Sequence, residues 1–146
     1  MKIVFDTNII LDVLLNRAPF VELSANLVSA VENKKIEGFL CATTVTTLDY
    51  LISKETNRNK ARVEVRKLLS IFNISEVNLK VLELSINSDF KDFEDAVQYY
   101  SGECCSINGL VTRNTKDYTQ AKLPIYTPDE LWGIISINEH KKSLIG

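Results

Sequence analysis

Histidine is nearly missing: the chain of 146 residues holds one, His140, near its C-terminal end. General acid–base chemistry by imidazole, and a Cys–His nucleophile pair, are therefore poor explanations for this chain. Cysteine is scarce as well. Cys41, Cys104 and Cys105 make an odd set with a vicinal pair and no CxxC spacing, which excludes a disulfide framework and argues against zinc. All three read as buried small hydrophobes in a reducing compartment. There is no long apolar run and no signal-peptide pattern, so the expected location is cytoplasmic, with no membrane partner. Surplus positive charge is absent too: 17 Lys and Arg stand against 19 Asp and Glu, a net charge of -2. That counts against a module gripping nucleic acid by bulk positive charge. It leaves room for a nuclease, because a bound metal ion inverts the field of an acidic pocket. No repeat, linker or low-complexity segment interrupts the chain. A single domain over 1–137 is expected, followed by a charged, loose tail over 138–146.

What is present is organised around the first twelve residues. Ile3, Val4 and Phe5 form a β-branched and aromatic run with no polar alternation, as in a strand buried on both faces of a parallel sheet. The run stops at Asp6. Ile9, Ile10, Val13 and Leu14 then follow at helical spacing. Asp6 thus lies where a central strand hands over to a helix, at the sheet edge where ligands collect. It could cap that helix, or it could hold a cation.

Strands are expected at 38–42, 74–77, 107–111 and 123–126, the 74–77 strand at an edge. Helices are expected over 9–16, 20–33, 57–73 and 79–88, with others carrying Leu48 and Leu51, opening at Asp92, and starting at Thr127-Pro128-Asp129-Glu130. Strands alternating with helices give an α/β fold with a central, mainly parallel sheet of four or five strands.

Four acids fall at the carboxyl edge of such a sheet. Asp6 ends the first strand. Asp49 lies in the helix after the second, Asp95 in the first turns of the helix before the fourth, and Asp117 in the loop after it. Convergent carboxylates suit hard divalent ions, and two such ions about 4 Å apart cleave phosphodiesters without histidine. Asp49 could be a solvated helix residue, and Asp92, Glu94 and Asp117 could be helix caps or surface charges. Asp95 has Phe93, Ala96 and Val97 for neighbours and reads as buried. Arg113 and Lys116 flank Asn114 and could hold a phosphate or pair with acids.

These segments together resemble the PIN-domain ribonucleases of the VapC-like toxin kind. The resemblance is carried by IVFDTNIILDVLL at 3–15, ATTVTTLDYL at 42–51, DFEDAVQYY at 92–100, LVTRNTKDY at 110–118 and PIYTPDEL at 124–131. It implies a three-layer α/β/α fold, dependence on Mg²⁺ or Mn²⁺, and cleavage of single-stranded RNA. It also implies a homodimer and a small antitoxin partner. By position, Asp6 resembles the family's first acid, Asp49 the second, which is usually Glu, and Asp95 the third. Asn114 stands at the fourth, often Asp, with Asp117 just after it. Catalysis is then expected of Asp6, Asp49, Asp95 and Asp117, with metal held by Asp6, Asp95 and Asp117. Thr7, Asn8, Thr112, Arg113, Asn114 and Lys116 are the expected supporting and phosphate-binding residues.

Other readings fit less well. A receiver-type phospho-acceptor needs an acid pair after the first strand, and a haloacid-dehalogenase-type phosphatase needs Asp-x-Asp; this chain has Asp6-Thr7-Asn8. The departures at 49 and 114 leave open a catalytically weak PIN-fold module that binds RNA or protein. The Leu- and Val-rich faces of the helices at 20–33 and 44–53 suggest more apolar surface than one core covers, and hence a dimer.

Overall fold

The computed structural model describes residues 1–145, with side chains through Leu144. β1 (Lys2–Phe5) leads into α1 (Thr7–Leu14) and α2 (Val21–Glu32). β2 (Glu37–Cys41), α3 (Ala42–Glu55), α4 (Arg58–Ile71) and β3 (Asn73–Ser75) follow. Then come α5 (Leu79–Ile86), α6 (Phe93–Cys104) and β4 (Gly109–Val111). A 3-10 turn (Thr115–Tyr118), β5 (Ile125–Tyr126) and α7 (Pro128–Ile145) complete the order.

The strands form one sheet in the order β3-β2-β1-β4-β5, and every pairing is parallel. β1 is central, as its unbroken apolar run requires. Ile3 and Phe5 face one core and Val4 the other. The first core takes Ile9 and Ile10 of α1, Leu27 and Val31 of α2, Leu48 and Ile52 of α3, Leu68 of α4 and Leu131 of α7. The opposite face is covered by α6 through Tyr99 and Val97 and by α5 through Val81. The result is a three-layer α/β/α fold.

After β1 the chain builds outward through β2 and β3. It then returns to lay β4 on the other side of β1. The carboxyl ends of β1 and β4 therefore mark the switch point of the sheet, where the connecting segments diverge and leave a crevice.

Three expectations change. The helix α7 runs on through residues 138–145, where a loose tail was expected. No Gly or Pro interrupts that stretch, Lys142 suits a helix C-terminus, and Glu139 lies 4.0 Å from Lys35. Gly146, part of the expected tail, lies outside the described residues. Cys41 is buried, whereas Cys104 is exposed and Cys105 half-buried, because the last two sit at the C-terminal end of α6. The apolar faces of α2 and α3, expected to favour a dimer, are taken up by the chain's own core: Leu27 and Leu48 are both 0% exposed. Large apolar side chains are exposed instead on α5, notably Leu79 and Ile86.

Candidate active site

Parallel pairing of β1 with β4 sets the first contact. The Asp6 N–H donates to the Val111 carbonyl at 3.0 Å, carrying the ladder one residue past β1. Asp6 and Thr112 thereby leave adjacent strands side by side. The Thr112 hydroxyl donates to Asp6 Oδ2 at 2.6 Å and accepts the Asn114 N–H at 3.1 Å. Both Asp6 and Thr112 are buried. Burial pushes the Asp6 carboxyl above its ordinary value, and the Thr112 hydroxyl partly opposes this.

Asp95 arrives from the opposite wall, in the first turn of α6. Asp92 caps that helix by accepting the Asp95 N–H at 3.0 Å. The Asp95 carboxyl is pushed up to about 7, first by burial and then by the charges of Asp6, Asp92 and Asp117. A run of hydrogen bonds orients it. Thr7 donates to Thr44 at 3.0 Å, and Thr44 donates to Gln98 Oε1 at 3.1 Å. Gln98 Nε2 donates to the Tyr118 hydroxyl at 2.7 Å, which in turn faces Asp95 Oδ1 at 3.4 Å. Burial pushes the Tyr118 phenol up, so it remains a donor.

Asp6, Asn8, Asp95, Asn114 and Asp117 line one cleft of about 310 Å³, with Thr47 and Glu94 on the side where α3 meets α6. A neighbouring hollow shares Asp92, Asp95 and Asp117 and adds Lys91 and Lys116 to its lining. Acidic floor and basic approach therefore adjoin.

Two sequence-based assignments are corrected. Asp49 does not line the cleft; its carboxylate accepts from Arg62 Nε at 3.1 Å across the α3–α4 surface. The cause is helical phase. Thr44, Thr47 and Leu51 face inward or toward the cleft, and Asp49, two residues after Thr47, lies about 200° further round. Arg113 is not aimed at the cleft either. It is bound to the buried carboxylate of Asp12, and its guanidinium stacks on the Phe20 ring at 4.0 Å from the centroid.

Sequence reading did not single out Glu94, Gln98, Thr44 or Tyr118 as parts of the site. Gln98 was recoverable, since it lies three residues after Asp95 on the same helix face. Thr44 and Tyr118 come from distant segments and carry no local signal.

The donors in the cleft are all oxygens. Among the described residues, Asp6, Glu94, Asp95 and Asp117 form no salt bridge with a basic side chain. Nor do any three acidic, His or Cys side chains among the described residues already close round one point. Such a set fits a hard divalent ion that retains several of its waters, rather than an all-protein cage.

The PIN-domain family model matches residues 2–116, and the chain belongs to that family. Among curated proteins it is similar to Ribonuclease VapC1 of Aquifex aeolicus (strain VF5), 24% identical over 136 residues, covering 88% of this chain and 92% of that protein. Among solved structures it resembles VapBC2 from Rickettsia felis bound to a DNA fragment from their promoter. The TM-score is 0.65 at 16% identity, covering 87% of this chain and 98% of that one. A toxin-antitoxin complex from Klebsiella pneumoniae matches at TM-score 0.64 and 23% identity, covering 86% and 96%. Among the described residues, no helix is long and apolar enough to cross a membrane.

Proposed function

We propose that this chain is a Mg²⁺- or Mn²⁺-dependent endoribonuclease that cleaves single-stranded RNA and serves as the toxin of a toxin–antitoxin pair. The observation that carries the reading is the meeting of Asp6, Asp95 and Asp117 in one cleft at the sheet's switch point, without a basic partner among the described residues. Like charges so placed call for a cation. The name of the Aquifex relative supports the ribonuclease chemistry, and the toxin-antitoxin complexes among the structural relatives support the partner. The family resemblance, with the exposed Leu79 and Ile86, supports a homodimer.

Asp6, Asp95 and Asp117 would hold the ion, which when bound supplies an activated water and stabilises the leaving oxygen. The chain's own residues do the rest. Thr112 fixes the Asp6 carboxylate through Oδ2. Tyr118 and Gln98 fix Asp95. Asn114, on the cleft wall, offers a neutral amide to a phosphate oxygen. Lys91 and Lys116 hold the flanking backbone as point charges.

A second reading, a catalytically weak module binding RNA or protein, is favoured by one observation: Asp49 points to Arg62. The test is cleavage of a single-stranded RNA by purified protein with Mg²⁺, with chelator, and with Asp6→Asn. Cleavage abolished by chelator and by the variant supports the enzyme. RNA binding that survives both, with no cleavage by wild type, supports the module.

A further inference from the structure

We infer that Glu94, carried by α6 and steered by Thr47 of α3, is a further metal-binding carboxylate of the cleft, supplying the α3 wall with the acid that Asp49, expected there in a catalytic role, does not bring. This rests on the metal-nuclease reading above. Two residues of α3 line the cleft, Thr47 and, one turn on, Leu51, and Thr47 is the polar one. It brings no charge. Its hydroxyl donates to Glu94 Oε1 at 2.9 Å across the α3–α6 gap. The pair thus delivers a carboxylate to the α3 wall from the neighbouring helix. One hydroxyl engages one carboxylate oxygen, so Oε2 retains its lone pairs for a ligand.

Asp49 cannot compete. It sits on the face toward α4, where Arg62 neutralises it at 3.1 Å. Glu94, by contrast, has no salt bridge to a basic side chain among the described residues, and shares the cleft with Asp6, Asp95 and Asp117.

A bland role for Glu94 also exists. It lies in the first turn of α6, where the helix dipole favours an acid. Replacement by Gln separates the two. Gln keeps the length and an oxygen to accept from Thr47, and removes the charge. A dipole role predicts a lower melting temperature in chelator and unchanged metal binding. A ligand role predicts an equal or higher melting temperature in chelator and weaker metal binding.

The experiment is titration of the purified full chain with Mn²⁺ by calorimetry, with thermal melts in chelator and in Mn²⁺ and cleavage of a single-stranded RNA alongside. Four proteins are compared: wild type, Glu94→Gln, Asp49→Asn, and the double variant Thr47→Glu with Glu94→Gln. Glu94→Gln is expected to weaken Mn²⁺ binding about tenfold or more and to lower cleavage. Asp49→Asn, which breaks a half-exposed ion pair, is expected to leave Mn²⁺ binding within about twofold. The double variant returns a carboxylate to the same wall from α3 and is expected to recover binding lost in Glu94→Gln. Unchanged binding in Glu94→Gln, an equal loss in Asp49→Asn, or no recovery in the double variant would each overturn the assignment of Glu94. A wild type that gives neither heat nor a melting shift with Mn²⁺ would overturn the metal-nuclease reading itself.

Discussion

Arg113 and Asp12 lie 101 residues apart in the chain and form a two-point ion pair, Nε to Oδ2 at 2.6 Å and Nη2 to Oδ1 at 3.2 Å. Asp12 is 0% exposed, and Arg17 reaches it at 3.8 Å from the solvent side. The pair ties the loop after β4 to α1, and so fixes the segment that carries Thr112 and Asn114. Arg113→Ala leaves the buried carboxylate only the longer contact with Arg17 and is expected to cost on the order of 3 kcal/mol. Arg113→Lys should recover little, since an ammonium cannot match both oxygens. Urea unfolding checks this. A variant of wild-type stability that binds RNA poorly would return Arg113 to the phosphate-reading role its sequence position suggested.

Much of this architecture is legible in the sequence because it is local. The Ile3-Val4-Phe5 run and its stop at Asp6 announce a central strand and a site at its end. The expected burial of Asp95 holds only in part: Ala96 and Val97 are buried, Asp95 itself is half-buried, and Phe93 is about half exposed. What the sequence hides is phase and distance. Four threonines around 43–47 blur where α3 begins, and a shift of two residues decides whether Asp49 or position 47 faces the cleft. Arg113 reads as a phosphate ligand because its true partner is far away in the chain. The tail reads as loose from its charge, yet nothing in it breaks a helix.

Protonation of Asp95 gives the metal-free protein a distinctive pH dependence. Its carboxyl holds a proton up to about 7 in the folded chain, against an ordinary value of 3.8. Between those values the native state binds more protons than the unfolded one, so stability falls as pH rises. Burial shifts Asp6 in the same direction. In chelator, the melting temperature should be higher near pH 5 than near pH 8. Mg²⁺ affinity should run the other way, rising as pH passes 7, because the ion must displace that proton. Melts that improve steadily from about pH 5 to 8 in chelator would contradict the crowding of these acids.

RNA binding should depend only weakly on salt. Lys91 and Lys116 adjoin the acidic cleft, while Arg113 is committed to Asp12 and Arg62 to Asp49. With two phosphate contacts and a slope of roughly -0.7 per contact on a single strand, log K against log salt should fall with a slope of about -1 to -2. The measurement uses Asp6→Asn protein, to prevent turnover. A slope several times steeper would reveal a wider basic surface, for which α4, with Arg58, Lys60 and Arg66, is the natural source.

Asp95→Asn tests the site most directly, because two readings of the residue predict opposite signs. Asp6, Asp92 and Asp117 all raise the energy of the ionised Asp95. Two carboxylates about 5 Å apart at an effective dielectric near 20 repel by roughly 3 kcal/mol before screening reduces it. Asn removes the charge and keeps an oxygen that can accept from Tyr118. In chelator near pH 8, where Asp95 is ionised, the variant should therefore melt above wild type. Near pH 5, where the wild-type carboxyl is protonated, the difference should shrink. Saturating Mg²⁺ should reverse the order at pH 8, since binding to the native state stabilises wild type and the variant holds the ion poorly. Cleavage should fall sharply. If the Asp95 carboxylate served only the hydrogen-bond run through Tyr118 and Gln98, Asn would weaken an acceptor in a buried network and lower the melting temperature in every buffer. The same order of melting temperatures in chelator and in Mg²⁺ would remove Asp95 from the metal site.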